Sequence, residues 1–180
     1  MSEEELHDLV ERAQRRDPDA WEALYRRNYR GLFAYSRRRL FSDEAADDAV
    51  SETMTRALVA IDRFRWKGAG VDAWLMGIAR LVVLEQQRSA LRRPVAGLPL
   101  PSIEGPLDQV LAAEQAGDVR EAFEELSSED QELLELRVVA GLSAEGVGEV
   151  LGKKPGAVRM AQTRALSRLR VALGGVTGAY

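Results

Sequence analysis

Apolar side chains recur every three to four positions along almost the whole chain, and no stretch sustains the strict alternation of a half-buried strand. The fold class this predicts is all-α, built as two helical modules joined by a flexible linker. A first acidic helix closes at Asp17-Pro18, and Pro18 suits the first turn of the next helix because its missing N–H has no partner there anyway. That second helix carries Trp21, Leu24, Tyr25, Leu32 and Phe33 as an apolar stripe. A third begins near Ser42-Asp43, with Ala46, Val50, Met54, Ala57, Leu58 and Ile61 on one face and Asp47, Asp48, Ser51, Glu52 and Thr55 on the other. Lys67-Gly68-Ala69-Gly70 breaks the pattern. A fourth helix then runs through Val71, Trp74, Leu75, Ile78 and Val82 to a basic end at Arg88, Arg92 and Arg93. These four helices form a first module, residues 1–93, in which the spacing of Trp74 makes it a core residue.

Four prolines (Pro94, Pro99, Pro101, Pro106) fall in a stretch without helical period, so residues 94–117 read as a linker. Such a segment spans ~25–30 Å as a flexible coil and up to ~70 Å in an extended proline-type form. A smaller module, residues 118–180, follows. Ser128-Glu129-Asp130-Gln131 has the capping-box spacing and opens a helix with Leu133, Leu134 and Leu136.

The segment from Leu142 to Arg159 has the spacing of two crossed helices. Ser143 caps the first, Val147 and Leu151 face inward, Gly148 is small at the crossing, Gly152 supplies the turn, and Pro155 starts the second with Val158 buried. Gly146, like Gly148, costs its helix on the order of 1 kcal/mol relative to Ala, but has no steric reason visible in the sequence. The second helix of this helix-turn-helix would present Arg159, Met160 and Thr163 to base edges in a major groove. Lys153, Lys154, Arg164 and Arg168 would flank them as phosphate contacts. The competing reading is a basic surface helix in an ordinary bundle.

Charge sharpens this. The net charge of −4 argues against general affinity for nucleic acid, yet residues 101–149 hold thirteen acids against two bases (Arg120, Arg137). Residues 150–180 hold six bases and no acid, a local cationic patch. The chain has no cysteine, which removes disulfides, thiolate metal sites and cysteine nucleophiles and fits a reducing compartment. No apolar run approaches the roughly 18–20 residues a membrane span needs, and the acidic start is unlike a basic signal peptide, so a cytoplasmic chain is expected. The lone histidine, His7, lies in the acidic leading helix and reads as a surface residue; no Gly-rich phosphate loop is present. No catalytic residue, metal or cofactor is expected, and an enzyme using Asp47, Asp48 and Glu52 as carboxylates is the weakest of the rival readings.

Taken together, Trp21-Glu-Ala-Leu-Tyr-Arg-Arg-Asn-Tyr, Asp43-Glu-Ala-Ala-Asp-Asp-Ala-Val-Ser-Glu-Thr-Met and Trp74-Leu-Met-Gly-Ile-Ala-Arg resemble region 2 of the sigma-70 family. The run from Glu125 through Leu142-Ser143, with Leu151-Gly, Gly156-Ala-Val-Arg and Arg164-Ala-Leu-Ser-Arg-Leu-Arg, resembles region 4. The pattern is that of the extracytoplasmic-function branch. The resemblance implies promoter-specific transcription initiation with core RNA polymerase, whose β′ clamp would meet Asp47, Asp48, Ser51, Glu52 and Thr55 and whose β flap would meet the second module. It implies −10 contacts from Arg63, Arg65, Trp66 and Lys67, a loop that also carries Phe64, with Arg80, Arg88, Arg92 and Arg93 along the opened strand, and −35 contacts from the helix-turn-helix. It also implies an anti-sigma partner, promoter DNA as ligand, no membrane insertion, and association with the nucleoid when bound to polymerase. The chain departs from the family at Leu81 and Glu85, where Asn and Asp are usual, and at Glu52, where Gln is common. The acidic stretch before the helix-turn-helix would keep the free chain from binding DNA tightly. A stand-alone helix-turn-helix regulator with a sensing or dimerising first module is the alternative.

Overall fold

The structure, a computed structural model, describes residues 2–66, 68–91 and 117–177, and the side chains of all of these but 91 and 175–177. Among the described residues every regular element is helical. Helix α1 is Glu3–Gln14, capped reciprocally by the Ser2 hydroxyl on the Glu5 N–H and the Glu5 carboxylate on the Ser2 N–H. Helix α2, Pro18–Leu40, starts under the Asp17 carboxylate, which accepts the N–H groups of Asp19 and Ala20. Helix α3, Asp43–Ala60, is capped by Ser42 and runs into a 3-10 turn, Ile61–Arg63. Helix α4 is Gly70–Leu91.

The linker expected over 94–117 lies outside the described residues apart from Gly117, which belongs to a helix described over 117–124 (α5). Helix α5 was not foreseen, although Val119, Ala122, Phe123 and Leu126 have its spacing. Helix α6 is Ser128–Leu134, and its cap is Ser127, one residue before the expected position: the Ser127 hydroxyl accepts the Asp130 N–H. The Gln131 side chain turns back and donates to the carbonyls of Phe123, Glu124 and Leu126, satisfying the end of α5. Helix α6 continues as a widened π turn, Glu135–Val139, closed by the Ala140 N–H on the Glu135 carbonyl. Helices α7, Ala144–Leu151, and α8, Pro155–Thr177, complete the chain.

Leu24, Leu32, Tyr35, Val50, Ile61, Leu75 and Val82 are fully buried among α1 to α4. Leu133, Leu136, Val147, Val158 and Ala165 do the same for the second group. Leu58, expected inward, and Tyr25 are instead at the surface, each beyond the edge of the stripe its helix buries. The two modules also pack against each other. The π turn packs on α2 and α7 packs on α4, so the two groups share one continuous core.

Candidate polymerase and nucleic-acid interface

Helix α3 buries Ala46, Ala49, Val50, Thr53, Met54 and Ala57 and leaves Asp47, Asp48, Ser51, Glu52 and Thr55 exposed along its far side. The five residues expected to meet a partner thus share one face. Tyr29 donates its phenol to Asp47 at 2.7 Å, which raises the Tyr29 pKa, and Thr55 donates to the Ser51 carbonyl at 2.9 Å. Glu52 accepts from Arg56 at 2.6 Å, and Arg56 also donates twice to Glu85 of α4, at 2.7 and 3.1 Å. Those hydrogen bonds hold the Glu85 carboxyl below the usual range. Glu85, a departure from the family pattern, is therefore tied to the α3 face. The Glu52–Arg56 spacing was legible in the sequence, whereas the reach to Glu85 was not.

The loop after α3 is held from below by α1. Gln14 donates to the carbonyls of Ile61 and Phe64 at 3.0 and 3.1 Å, and Arg16 donates to the Leu58 carbonyl at 2.8 Å and to Asp62 at 2.6 Å. Arg63 is exposed, while Arg65 donates to the carbonyls of Asp62 and Phe64. Trp66 is half-buried, its ring 4.9 Å from His7 and edge-on to Phe64 at 6.1 Å. His7, read as a plain surface residue, thus covers the loop's tryptophan, a contact that only the return of α1 over the loop creates. Trp74 packs half-buried with its ring 5.1 Å from Phe64. Lys67, Arg92 and Arg93 lie outside the described residues. Arg88 is exposed on α4.

Arg80 does not lie free on α4. Its guanidinium donates to both carboxylate oxygens of Glu132 in α6, at 2.8 and 3.3 Å, and this pairing raises its pKa. Beside it, Glu135 lies buried between Arg39, at 2.6 Å, and Arg38, at 3.5 Å. Burial raises the Glu135 carboxyl more than the two arginines lower it. The Arg39 contact is electrostatic rather than directed, because neither the Arg39 Nε nor the Glu135 Oε2 completes a hydrogen bond among the described residues.

The helix-turn-helix forms as expected. The Ser143 hydroxyl accepts the Gly146 N–H at 3.0 Å, and Gly152 takes the left-handed conformation at φ 65° between α7 and α8. A Cβ on Gly148 would stand 2.5 Å from the Lys153 carbonyl oxygen, the steric reason for glycine there. A Cβ on Gly146 would stand in ordinary contact, 3.4 Å from the Ala73 Cβ of the first module, so no close approach requires glycine there. On the outer side of α8, Arg159, Met160 and Thr163 are exposed together, with Lys153, Lys154 and Arg164 exposed nearby. Arg159 donates to Glu145 at 3.0 Å. The Glu145 carboxyl is held below its usual range by its own backbone N–H and then by Arg159. Arg168 is drawn off to Asp130 of α6, against a carboxylate that is itself buried. Among the described residues no helix is long and apolar enough to cross a membrane.

Two groups of helices, one pairing an acidic face with a cationic aromatic loop and the other a helix-turn-helix with a cationic outer face, define a two-module DNA-reading protein. Residues 24–93 match sigma-70 region 2 and residues 122–171 match sigma-70 region 4. The chain is 38% identical over 133 residues to the ECF RNA polymerase sigma factor ShbA of Streptomyces griseus, covering 69% of each chain. It is 34% identical over 169 residues to the ECF RNA polymerase sigma factor BldN of Streptomyces coelicolor, covering 91% of this chain and 64% of that one. It thus spans about two thirds of the length of these relatives. CnrH, solved with the cytosolic domain of CnrY, has the same fold, with a TM-score of 0.68 at 21% identity over 93% of this chain and 96% of that one. The sigma factor RpoE of Bartonella quintana, solved with the anti-sigma factor NepR, aligns with a TM-score of 0.57 at 25% identity over 79% of this chain and 89% of that one. The chain belongs to the extracytoplasmic-function branch of the sigma-70 family of RNA polymerase sigma factors. Two regions matched in the family's order leave the stand-alone regulator unfavoured.

Proposed function

We propose that this sigma factor supplies promoter choice and strand opening to a core polymerase that supplies all the chemistry. Asp47, Asp48, Ser51, Glu52 and Thr55 dock on the β′ clamp, an acidic polar face suited to a basic partner helix. Arg63, Arg65, Trp66 and Lys67, with Arg80, Arg88, Arg92 and Arg93, hold the opened −10 strand by cationic and aromatic contacts, which suit any base because every base has a π face. Arg159, Met160 and Thr163 read the −35 element in the major groove, Lys153, Lys154, Arg164 and Arg168 contact its phosphates, and the second module meets the β flap. The segment 94–117 threads the polymerase's channels. An anti-sigma protein regulates the factor in the cytoplasm, as supported by the RpoE relative solved with one.

The observation that carries this reading is the coexistence of a solvent-exposed acidic face on α3 with a helix-turn-helix whose outer face is cationic. In vitro transcription on pooled genomic fragments, with core polymerase and with or without the protein, tests it. New start sites sharing two upstream motifs are expected; no new starts and no co-migration with core would overturn it.

A further inference from the structure

The loop that follows α3 takes its shape from α1 as well as from its own residues. The end of a helix and a single 3-10 turn leave backbone carbonyls without partners in the helix, and such a segment keeps one conformation where side chains meet them. Two residues at the end of α1 do so. The Gln14 Nε2 donates to the carbonyls of Ile61 and Phe64, and Arg16 divides its guanidinium between the Leu58 carbonyl and Asp62. Arg65, within the loop, donates to the carbonyls of Asp62 and Phe64. Nearer the start of α1, the His7 ring lies against the Trp66 indole, with Glu11 3.5 Å from its Nε2. Gly70, where a Cβ would stand 3.4 Å from the ring, and Phe64, edge-on to it, pack on the same indole.

Arg16 stands just past the end of α1 at φ 65°, the left-handed conformation that glycine usually fills there. An L side chain is strained in that conformation. The two contacts across to Leu58 and Asp62, 42 and 46 positions away, offset the strain in a way that glycine could not. His7, Gln14 and Arg16 all precede residue 24, where the match to sigma-70 region 2 begins, so that match assigns them nothing.

We propose that Gln14, Arg16 and His7 are positioning residues for promoter opening, holding the loop of Arg63, Arg65 and Trp66 in its strand-capturing shape before DNA arrives. The proposal rests on the −10 reading of that loop. None of the three needs to touch DNA. A loop ordered in advance loses less conformational freedom when it takes up an unpaired base, so the gain falls at the step where the strands separate. Docking through the exposed face of α3 and −35 reading through α8 do not draw on this brace.

The test separates binding from opening in the holoenzyme of full chain and core polymerase, on a promoter obtained from the pooled-fragment transcription. Initial binding is read from protection of the −35 element, and opening from the rate at which −10 thymines become reactive to permanganate at saturating holoenzyme. Gln14→Glu keeps the side chain's shape but turns an acceptor-only carboxylate on two carbonyl oxygens. It is expected to slow opening on the order of tenfold, with initial binding and co-migration with core unchanged. Arg16→Gly removes both contacts and relieves the left-handed strain, so it should slow opening without lowering the melting temperature. His7→Ala should slow opening as well, and His7→Phe, which restores a ring beside Trp66, should return it. A loss of melting temperature, core co-migration and −35 protection in step with opening would mark a merely structural role and overturn the brace. Trp66→Ala checks the reading beneath it. If that variant opens promoters as fast as the unaltered chain, the strand-capturing reading of the loop fails and the brace with it. If it slows opening while Gln14→Glu and Arg16→Gly do not, the loop reading stands and the brace alone is overturned.

Discussion

A Cβ on Gly148 would lie 2.5 Å from the carbonyl oxygen of Lys153, so the two helices of the helix-turn-helix meet where only a hydrogen fits. An alanine there gains about 1 kcal/mol of helix propensity but forces the Lys153 turn aside, an overpacking cost of about 1–3 kcal/mol. Gly148→Ala is therefore expected to lower stability in urea denaturation and to abolish −35 binding by the holoenzyme. Gly146→Ala, whose new Cβ would sit in ordinary contact at 3.4 Å from Ala73, is expected to leave stability unchanged or raise it by up to about 1 kcal/mol. Equal losses from both would mean that the crossing at Gly148 is not the tight point.

The exposed α3 face should separate docking from folding. Asp48 and Ser51 are solvent-facing, so Asp48→Arg with Ser51→Arg is expected to change stability by no more than about 0.5 kcal/mol. Set against a basic clamp helix, the reversed charge should weaken co-migration with core polymerase on the order of a hundredfold. Undiminished binding would move the docking surface elsewhere.

On α8, base-reading and phosphate contacts should respond differently. Arg159→Ala is expected to cost the holoenzyme about 1–3 kcal/mol at its own −35 element and to relax preference at one base position. Lys154→Ala should weaken all promoters alike and reduce the dependence of log affinity on log salt by about one. Footprinting on a set of single-base promoter variants over a range of salt distinguishes the two.

Glu135 gives the chain a pH signature. Burial raises its carboxyl above the ordinary value of 4.5, so the folded form holds this proton more tightly than a solvated Glu135 does. Stability from this group rises as pH falls through its raised value, levels off below 4.5, and is lost as pH rises again. Glu85 has the opposite sign: its carboxyl is lowered, so its contribution is present above its ordinary value and lost as pH falls through the lowered one. Thermal melts from neutrality into the mildly acid range should show an acid-side gain that Glu135→Gln removes. A gain that persists in Glu135→Gln would assign it to another group.

The helices, their starts and the turn were legible because their causes are local. Asp17-Pro18, Ser42, Ser143, Gly152 and Pro155 act within a few residues of themselves, and an apolar stripe needs only the helical period. The capping residue of α6 was off by one because Ser127 and Ser128 carry the same chemistry, and α5 hid behind the proline-rich stretch. The exposed acidic face of α3 and the outer face of α8 were equally readable, being the polar sides of periodic segments.

What the sequence alone determined is therefore the set of helices, the turn that crosses α7 over α8, and which side of each surface helix is polar. The tertiary structure decided which polar groups are spent on each other. Arg80 meets Glu132 across 52 positions, and Ala69 meets Glu149 across 80. A guanidinium looks the same in sequence whether it faces a phosphate or a carboxylate, because charge and period are properties of one segment, whereas pairing depends on which distant segment the packed core brings opposite it.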